Sequence, residues 1–151
     1  MPSPTWILIA DGARARVLAQ AKDFAPLEPA FEHEEMTGST AQSREIASDR
    51  PGRSFDSAGQ GRHAMEPPTD PQRYAKYEFA RELAARLEEA AHDGRFARLV
   101  LVAAPKTLGD LRELLPNLVK AKVVAEIDKD LTKVPRHDLG RHLAQVLKME
   151  R

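Results

Sequence analysis

Carboxylates alternate late in the chain, at Glu126, Asp128 and Asp130. An extended backbone places alternate side chains on one face, and Asp11 could join them from the first predicted strand. Clustered carboxylates can bind a pair of Mg²⁺ ions, which drive phosphodiester hydrolysis by stabilising the attacking and leaving oxygens. The pattern therefore makes a metal-dependent nuclease one hypothesis for this chain.

Two lysines weaken that hypothesis, because Lys106 and Lys129 are expected in the same neighbourhood. Their ammonium groups can neutralise the acids, and a salt-bridged strand end needs no metal. The sequence favours this second interpretation, and it predicts no metal and no other cofactor. The polar cluster expected at the strand ends consists of Asp11, Lys106, Asp128, Lys129 and Asp130.

A glycine-rich segment, SAGQGRH at residues 57–63, is the second candidate site. Gly59 and Gly61 free the backbone on either side of Gln60. A glutamine at a loop tip can position a water but cannot deprotonate it, so backbone amides would supply the electrostatic stabilisation. The alternative, which the sequence alone favours, is a solvated and disordered loop. The cations that could meet phosphates here are Arg50, Arg53, Arg62 and His63.

Arg14 and Arg16 form the third candidate, because they lie two residues apart in a predicted strand and share one face. Two guanidinium groups at that spacing could hold a phosphate, including a phosphate of RNA. The alternative is a solvent-facing pair near the edge of a sheet, and the sequence favours it.

Strands must position most of these residues. Residues 99–104 form an uninterrupted apolar run, typical of a central strand covered on both faces. Residues 5–10 and 13–20 are predicted to be antiparallel strands, joined by the hairpin signal Asp11-Gly12. Residues 27–34 form a third strand, in which Pro29 marks an edge. Residues 123–127 form the last strand.

Helices are predicted in the second half. An apolar stripe over residues 73–92 indicates a helix that ends at Asp93-Gly94. A shorter helix is expected at about residues 108–115, because Thr107 and Asp110 have the spacing of an N-cap and its reciprocal partner. A closing helix follows Pro135. Residues 36–72 are rich in Gly, Pro, Ser and charge, which predicts a long mobile loop.

The resulting element order, βββαβαβα, predicts a single α/β domain over residues 1–151. Hairpins build the first half, and right-handed crossovers make the later strands parallel to the first. This order matches a ribonuclease-H-like, five-stranded mixed sheet with the strands arranged 3-2-1-4-5. The carboxyl ends of strands 1, 4 and 5 would then lie side by side.

Composition excludes several classes of protein. The chain has 151 residues, enough for one core, and no cysteine, so it has neither disulfides nor thiolate metal sites. Basic and acidic residues both number 23, whereas a general nucleic-acid binder normally shows a basic excess. No apolar run reaches the roughly 18 residues that span a membrane. Since the first residues lack the basic region of a secretory signal, we expect a cytoplasmic protein without membrane contact.

Three segments carry a family resemblance: WILIADGARARVL at residues 6–18, FARLVLVAAPKTLGDLR at 96–112 and VVAEIDKDLTK at 123–133. Together they resemble the bacterial host attachment protein family over nearly the whole chain. The name of that family implies a role in attachment to a host, without a defined biochemical activity.

The family is in turn distantly similar to the middle domain of archaeal and eukaryotic peptide-chain release factors. Those domains carry a Gly-Gly-Gln tip in the long loop before the first long helix, where this chain has Ala58-Gly59-Gln60. The resemblance implies that Gln60 orients the hydrolytic water at the peptidyl-tRNA ester and that Gly59 lets the backbone enter the peptidyl-transferase centre. Ala58 departs from the pattern, because its Cβ penalises positive φ. The RNA contacts that the resemblance implies are Arg53, Arg62 and His63.

These observations predict a translation-associated protein that contacts ribosomal RNA or tRNA through its Gly-Gln loop, and a peptidyl-tRNA hydrolase if Gln60 is catalytic. Without a codon-reading domain, the chain would act as a codon-independent rescue factor or as a ribosome-associated protein without hydrolysis. One alternative is a non-enzymatic protein-interaction module that affects host attachment indirectly. The other is the Mg²⁺-dependent nuclease. The sequence predicts no oligomeric state.

Overall fold

A mixed sheet of six strands organises the described part of the chain, and its central strand is the first one. The computed structural model describes residues 4–38 and 70–149. Strand β1 (Thr5–Ala10) pairs antiparallel with β2 (Arg14–Gln20) and parallel with β5 (Arg98–Ala103). Every residue of β1 is buried, because its apolar run TWILIA is covered on both faces. The predictions of a central strand near residue 99 and of the Asp11-Gly12 hairpin are confirmed.

The two edges of the sheet differ. Strand β6 (Val123–Ile127) pairs parallel with β5 at one edge, over the residues predicted for the last strand, and the ladder is irregular at Leu99 and Val100. At the other edge β2 pairs with two short strands, β3 (Leu27–Pro29) and β4 (Glu35–Thr37). The predicted single strand over residues 27–34 is therefore wrong. Proline cannot donate to a ladder, and β3 ends at Pro29.

The strand order along the sheet is β3-β2-β1-β5-β6, with β4 paired to β2 beside β3. The chain is a mixed α/β protein, as predicted, but over residues 4–38 and 70–149 the sheet has six strands instead of five. The ribonuclease-H-like class stays a prediction. The middle of the predicted loop, residues 39–69, lies outside the described residues, and the ends of that loop belong to β4 and to the first helix.

Helix α1 (Pro71–His92) covers one face of the sheet. It begins where Asp70 accepts a hydrogen bond from the backbone N–H of Arg73 at 3.1 Å, with Pro71 in its first turn. It ends at Asp93-Gly94 as predicted, because Gly94 adopts a φ of +70°. The side chains that α1 buries against Trp6, Leu8 and their neighbours include Phe79, Leu83 and Leu87.

Helix α2 (Pro105–Leu114) begins three residues earlier than predicted. Its N-cap is Ala104, without a side-chain hydrogen bond, so the predicted cap at Thr107 is wrong. Pro105 occupies the first helical position, where a backbone N–H would have no hydrogen-bond partner. The helix therefore loses nothing there by starting with a proline. Asp110 instead accepts two hydrogen bonds from the guanidinium of Arg73, at 2.5 and 2.6 Å, and so ties α2 to α1.

Two more helices lie among the described residues. The single-turn helix α3 (Asn117–Lys120) precedes β6 and contributes buried Val119 to the α1 side of the sheet. Helix α4 (Arg136–Leu143) starts directly after Pro135 and covers the opposite face. There Leu139 and Leu143 pack on Ile7 and Ile9 of β1. The two cores are thus separated by the sheet itself.

Two glycines provide matched tests of the backbone, since an added Cβ meets no atom within 4 Å at either Gly94 or Gly109. We expect Gly94→Ala to lower the free energy of unfolding by about 1–2 kcal/mol, because a Cβ disfavours positive φ. Gly109 lies inside α2. Its replacement by Ala should raise the free energy by about 0.5–1 kcal/mol. Urea unfolding of both variants measures these changes, and changes of the same sign would contradict this account.

Candidate functional site

Asp11 shapes the turn at the carboxyl end of the central strand. One of its carboxylate oxygens, Oδ1, accepts hydrogen bonds from the backbone N–H groups of Ala13 at 2.7 Å and Arg14 at 2.8 Å. The other oxygen lies 3.4 Å from the hydroxyl of Thr132. Asp11 therefore holds its own turn and reaches the loop that follows β6.

Thr132 makes the second polar contact of this region, with Asp130. Its hydroxyl donates to Oδ1 of Asp130 at 2.6 Å, and its backbone N–H donates to the same oxygen at 3.0 Å. These two bonds are the main reason that the pKa of Asp130 lies below its ordinary value. Burial raises the pKa by less than the bonds lower it, and the charges of Lys133 and Arg14 lower it by smaller amounts still. Asp130 is therefore a carboxylate at neutral pH.

Arg16 of β2 joins the loop after β6 to the sheet. Its side chain is buried, with the residue 5% exposed. Nε and Nη2 donate to the carboxylate of Glu34 at 2.9 and 2.7 Å. Nη1 donates to the carbonyl oxygens of Leu131, Thr132 and Val134, at 3.3, 3.4 and 2.5 Å. A second cation, Arg136 at the start of α4, lies 3.5 Å from the other oxygen of Glu34.

An open cleft of about 500 Å³ lies between β2, the segment before β4 and the loop after β6. We call it the strand-end cleft. Two exposed cations belong to it, Arg14 from β2 and Lys133 from the loop. Within residues 4–38 and 70–149, neither forms an ion pair with a carboxylate. The residues that line the strand-end cleft are Arg14, Arg16, Glu34, Glu35, Thr132, Lys133 and Val134.

The structure separates the predicted acidic cluster. Glu126 forms an ion pair with Arg112 of α2 at 2.5 Å, while Asp130 accepts a hydrogen bond from the hydroxyl of Thr132. The chain leaves the extended conformation after Ile127, so the expected alternation of the three acids on one face is wrong. Lys106, Asp128 and Lys129 are exposed. Among the described residues, no group of three or more His, Asp or Glu side chains could hold a metal ion.

Arg14 and Arg16 do not form the solvent-facing pair that their spacing predicted. Arg14 is exposed, but Arg16 is buried because the loop at residues 131–134 covers its face of β2. The guanidinium of Arg16 is committed to Glu34 and to carbonyl oxygens, and the structure leaves Arg14 as the accessible cation of the two.

The predicted Gly-Gln loop site lies outside the described residues. This applies to its two residues with predicted catalytic roles, Gly59 and Gln60, and to Ala58 beside them. It also applies to the predicted phosphate contacts Arg50, Arg53, Arg62 and His63.

Sequence reasoning missed five of the seven residues that line the strand-end cleft, among them Glu34, Thr132 and Lys133. Thr132 carried a local signal, because Asp130 and a hydroxyl residue two positions later suit an Asx turn. Glu34 carried none, since its partner Arg16 is 18 residues away in the chain. Lys133 lies at the cleft only because the loop at residues 131–134 packs on Arg16, and no local pattern in the sequence predicts that contact.

Comparison with protein families gives a match to this sequence. Residues 6–143 match the family described as "Protein required for attachment to host cells". The chain belongs to this host attachment family. The match spans β1 to the end of α4, so it includes the whole strand-end cleft. No curated protein matches the chain.

This membership corrects the predicted function. The family that matches is one required for attachment to host cells, so the prediction of a translation-associated protein with ribosome or tRNA contacts is wrong. Similarity to the middle domain of release factors is not shown, and the nuclease alternative loses its acidic cluster. No helix in the described part of this host attachment protein is long and apolar enough to cross a membrane.

The buried guanidinium of Arg16 should dominate the stability of the strand-end cleft. We expect Arg16→Met to lower the free energy of unfolding by about 3 kcal/mol, because Glu34 and the loop carbonyls lose their donors while Glu34 stays partly buried. The matched control is Arg81→Met, which removes an exposed ion pair with Glu78 and should cost less than about 0.5 kcal/mol. Equal losses for the two variants in urea unfolding would contradict this role of Arg16.

Thr132 should control the ionisation of Asp130. We expect Thr132→Val to raise the pKa of Asp130, because it removes the hydroxyl donor that is the largest cause of the lowered pKa. NMR titration of the carboxyl carbon measures this shift. Thr107→Val, a change at another buried threonine, is the control and should leave the pKa of Asp130 unchanged.

The same ionisation sets a pH dependence. The folded chain binds the Asp130 proton less tightly than the unfolded chain, so Asp130 contributes stability above its unfolded pKa of about 3.9. That contribution is lost as the pH falls through the lower folded pKa. Thr132→Val should therefore flatten the decline of stability below about pH 4. An unchanged decline, together with an unchanged pKa, would contradict the assignment.

Proposed function

We propose that this chain takes part in attachment to host cells by binding a partner protein through the strand-end cleft. Membership of the host attachment family over residues 6–143 carries the attachment role. The cleft supports a binding role because it is open and about 500 Å³ in volume, and because other contacts already hold two of its lining side chains, Arg16 and Thr132, in place.

The charges of the cleft support, as the partner, a protein segment that carries both acidic and basic side chains. Arg14 and Lys133 are exposed cations without an ion-pair partner among the described residues, so each can receive a carboxylate. The cleft also carries Glu34 and Glu35. A surface of both signs favours a segment that itself carries both charges over a uniformly charged polymer, which would meet repulsion from the two acids.

Pre-organisation supports the same proposal. Arg16 fixes the loop at residues 131–134 by bonds to three of its carbonyl oxygens. Lys133 is therefore presented from a loop that loses little freedom when a partner binds. Arg14 follows the turn that Asp11 holds, and the backbone N–H of Arg14 is one of the two donors to that carboxylate.

Attachment assays test the proposal in cells that make this chain. We expect the double charge reversal Arg14→Glu with Lys133→Glu to reduce the number of attached cells roughly tenfold or more, because like charges would then face the partner's acidic side chains. The control is Lys76→Glu with Lys120→Glu, an equal change in charge at exposed positions outside the strand-end cleft.

Three outcomes separate the parts of the proposal. Unchanged attachment in cells lacking the chain would overturn the attachment role. Unchanged attachment in the Arg14 and Lys133 variant, with normal thermal stability and abundance, would overturn the assignment to the cleft. An equal defect in the Lys76 and Lys120 variant would show that net charge, and not the cleft, determines attachment.

A further inference from the structure

Phe24 combines two unfavourable properties at the turn between β2 and β3. Its side chain is 57% exposed, and its φ of +68° is the only positive φ of a non-glycine residue in the described part of the chain. A bulky residue in the left-handed region brings its Cβ close to the backbone. Residues held in such conformations cluster at sites of function, so Phe24 is a candidate contact residue.

Hydrogen bonds hold the turn in this conformation, and one of them joins the backbone N–H of Ala25 to the carbonyl oxygen of Lys22 at 3.0 Å. The backbone N–H of Phe24 donates to the carbonyl oxygen of Lys148 at 2.8 Å. The buried amide of Gln20 donates to the carbonyl oxygens of Lys148 at 2.8 Å and Ala25 at 3.1 Å. The ring of Phe24 is therefore presented to solvent from a fixed backbone, which reduces the entropy lost on binding.

A pocket of about 160 Å³ lies beside this turn, at the amino ends of β1 and β5. We call it the basal pocket. Its most exposed apolar side chain is Val124 of β6, at 55%. A cavity of about 150 Å³ is enough to bind a benzene ring, so the basal pocket is large enough for a phenylalanine ring. Its lining residues are Thr5, Gln20, Asp23, Arg98, Val124, Val146, Leu147 and Lys148.

We propose that two copies of this chain form a symmetric dimer in which Phe24 of each copy enters the basal pocket of the other. In a two-fold interface the same patch meets itself, so a protruding group and its pocket must be neighbours on one surface. They are neighbours here, because Asp23 lines the basal pocket and immediately precedes Phe24.

Charge complementarity identifies a second copy as the occupant. Asp23 accompanies the ring, while Arg98 and Lys148 line the pocket that receives it. Docking therefore brings the carboxylate of one copy to two cations of the other. Within one copy Asp23 lies 3.8 Å from the ammonium of Lys148, and both side chains are mostly exposed, so this contact is free to rearrange.

The dimer does not depend on the proposed attachment function. The basal pocket contains the first residues of β1 and β5, Thr5 and Arg98, and the strand-end cleft lies past the opposite end of β1. Self-association and attachment can therefore fail separately.

Sedimentation velocity of the purified chain, from about 1 to 200 µM, tests the proposal. We expect a dimer that dissociates on dilution. Phe24→Gly should raise the dimer dissociation constant about 100-fold or more, because a dimer loses two buried rings. The variant should fold at least as well as the original chain, since glycine suits a φ of +68°. Leu118→Ala, which shortens another exposed apolar side chain, should leave the dissociation constant unchanged.

A charge swap tests the geometry separately. Asp23→Arg should weaken the dimer, and addition of Arg98→Asp to the same chain should restore it, because the paired charges are exchanged across the two-fold axis. A monomer at every concentration would overturn the proposal, whatever else occupies the basal pocket. A dimer with the same dissociation constant after Phe24→Gly would overturn it as well.

Discussion

Burial of the Arg16 guanidinium group constrains the arrangement of the strand-end cleft. A buried arginine is tolerated only when its N–H groups find acceptors, and Arg16 finds them in the carboxylate of Glu34 and in carbonyl oxygens of residues 131–134. This requirement draws the loop after β6 across the end of the sheet. Thr132 then reaches Asp11 and Asp130, and Lys133 reaches the same cleft as Arg14. The strand-end cleft forms because the loop after β6 supplies hydrogen-bond acceptors to the Arg16 guanidinium.

The two ends of the sheet have separate proposed roles. The carboxyl ends of the parallel strands carry the strand-end cleft, and the amino ends carry Phe24 and the basal pocket. A dimer formed through the amino ends would leave both clefts open to a partner. Once a partner is bound at one cleft of the dimer, binding at the second cleft becomes intramolecular. This raises the strength of attachment without any new contact.

Local patterns in the sequence predicted most of the fold. Residues 123–127 form the last strand as expected, and Asp93-Gly94 ends the long helix because glycine suits the positive φ at that point. Predictions were wrong where a distant residue competes with a local motif. Asp110 has the spacing of a helix cap but binds Arg73, 37 residues away. Arg16 has the alternation of an exposed strand residue but is covered by carbonyl groups more than 100 residues later.

The exchange rate of the Arg16 Nε–H proton with water, measured by NMR, tests the central claim that this guanidinium holds the cleft together. Exchange at Arg16 should be about 10-fold or more slower than at the exposed Arg81, because a buried hydrogen bond must open before exchange occurs. Added salt should leave that rate nearly unchanged, since buried pairs are weakly screened. An Arg16 proton that exchanges as fast as that of Arg81 would contradict the account.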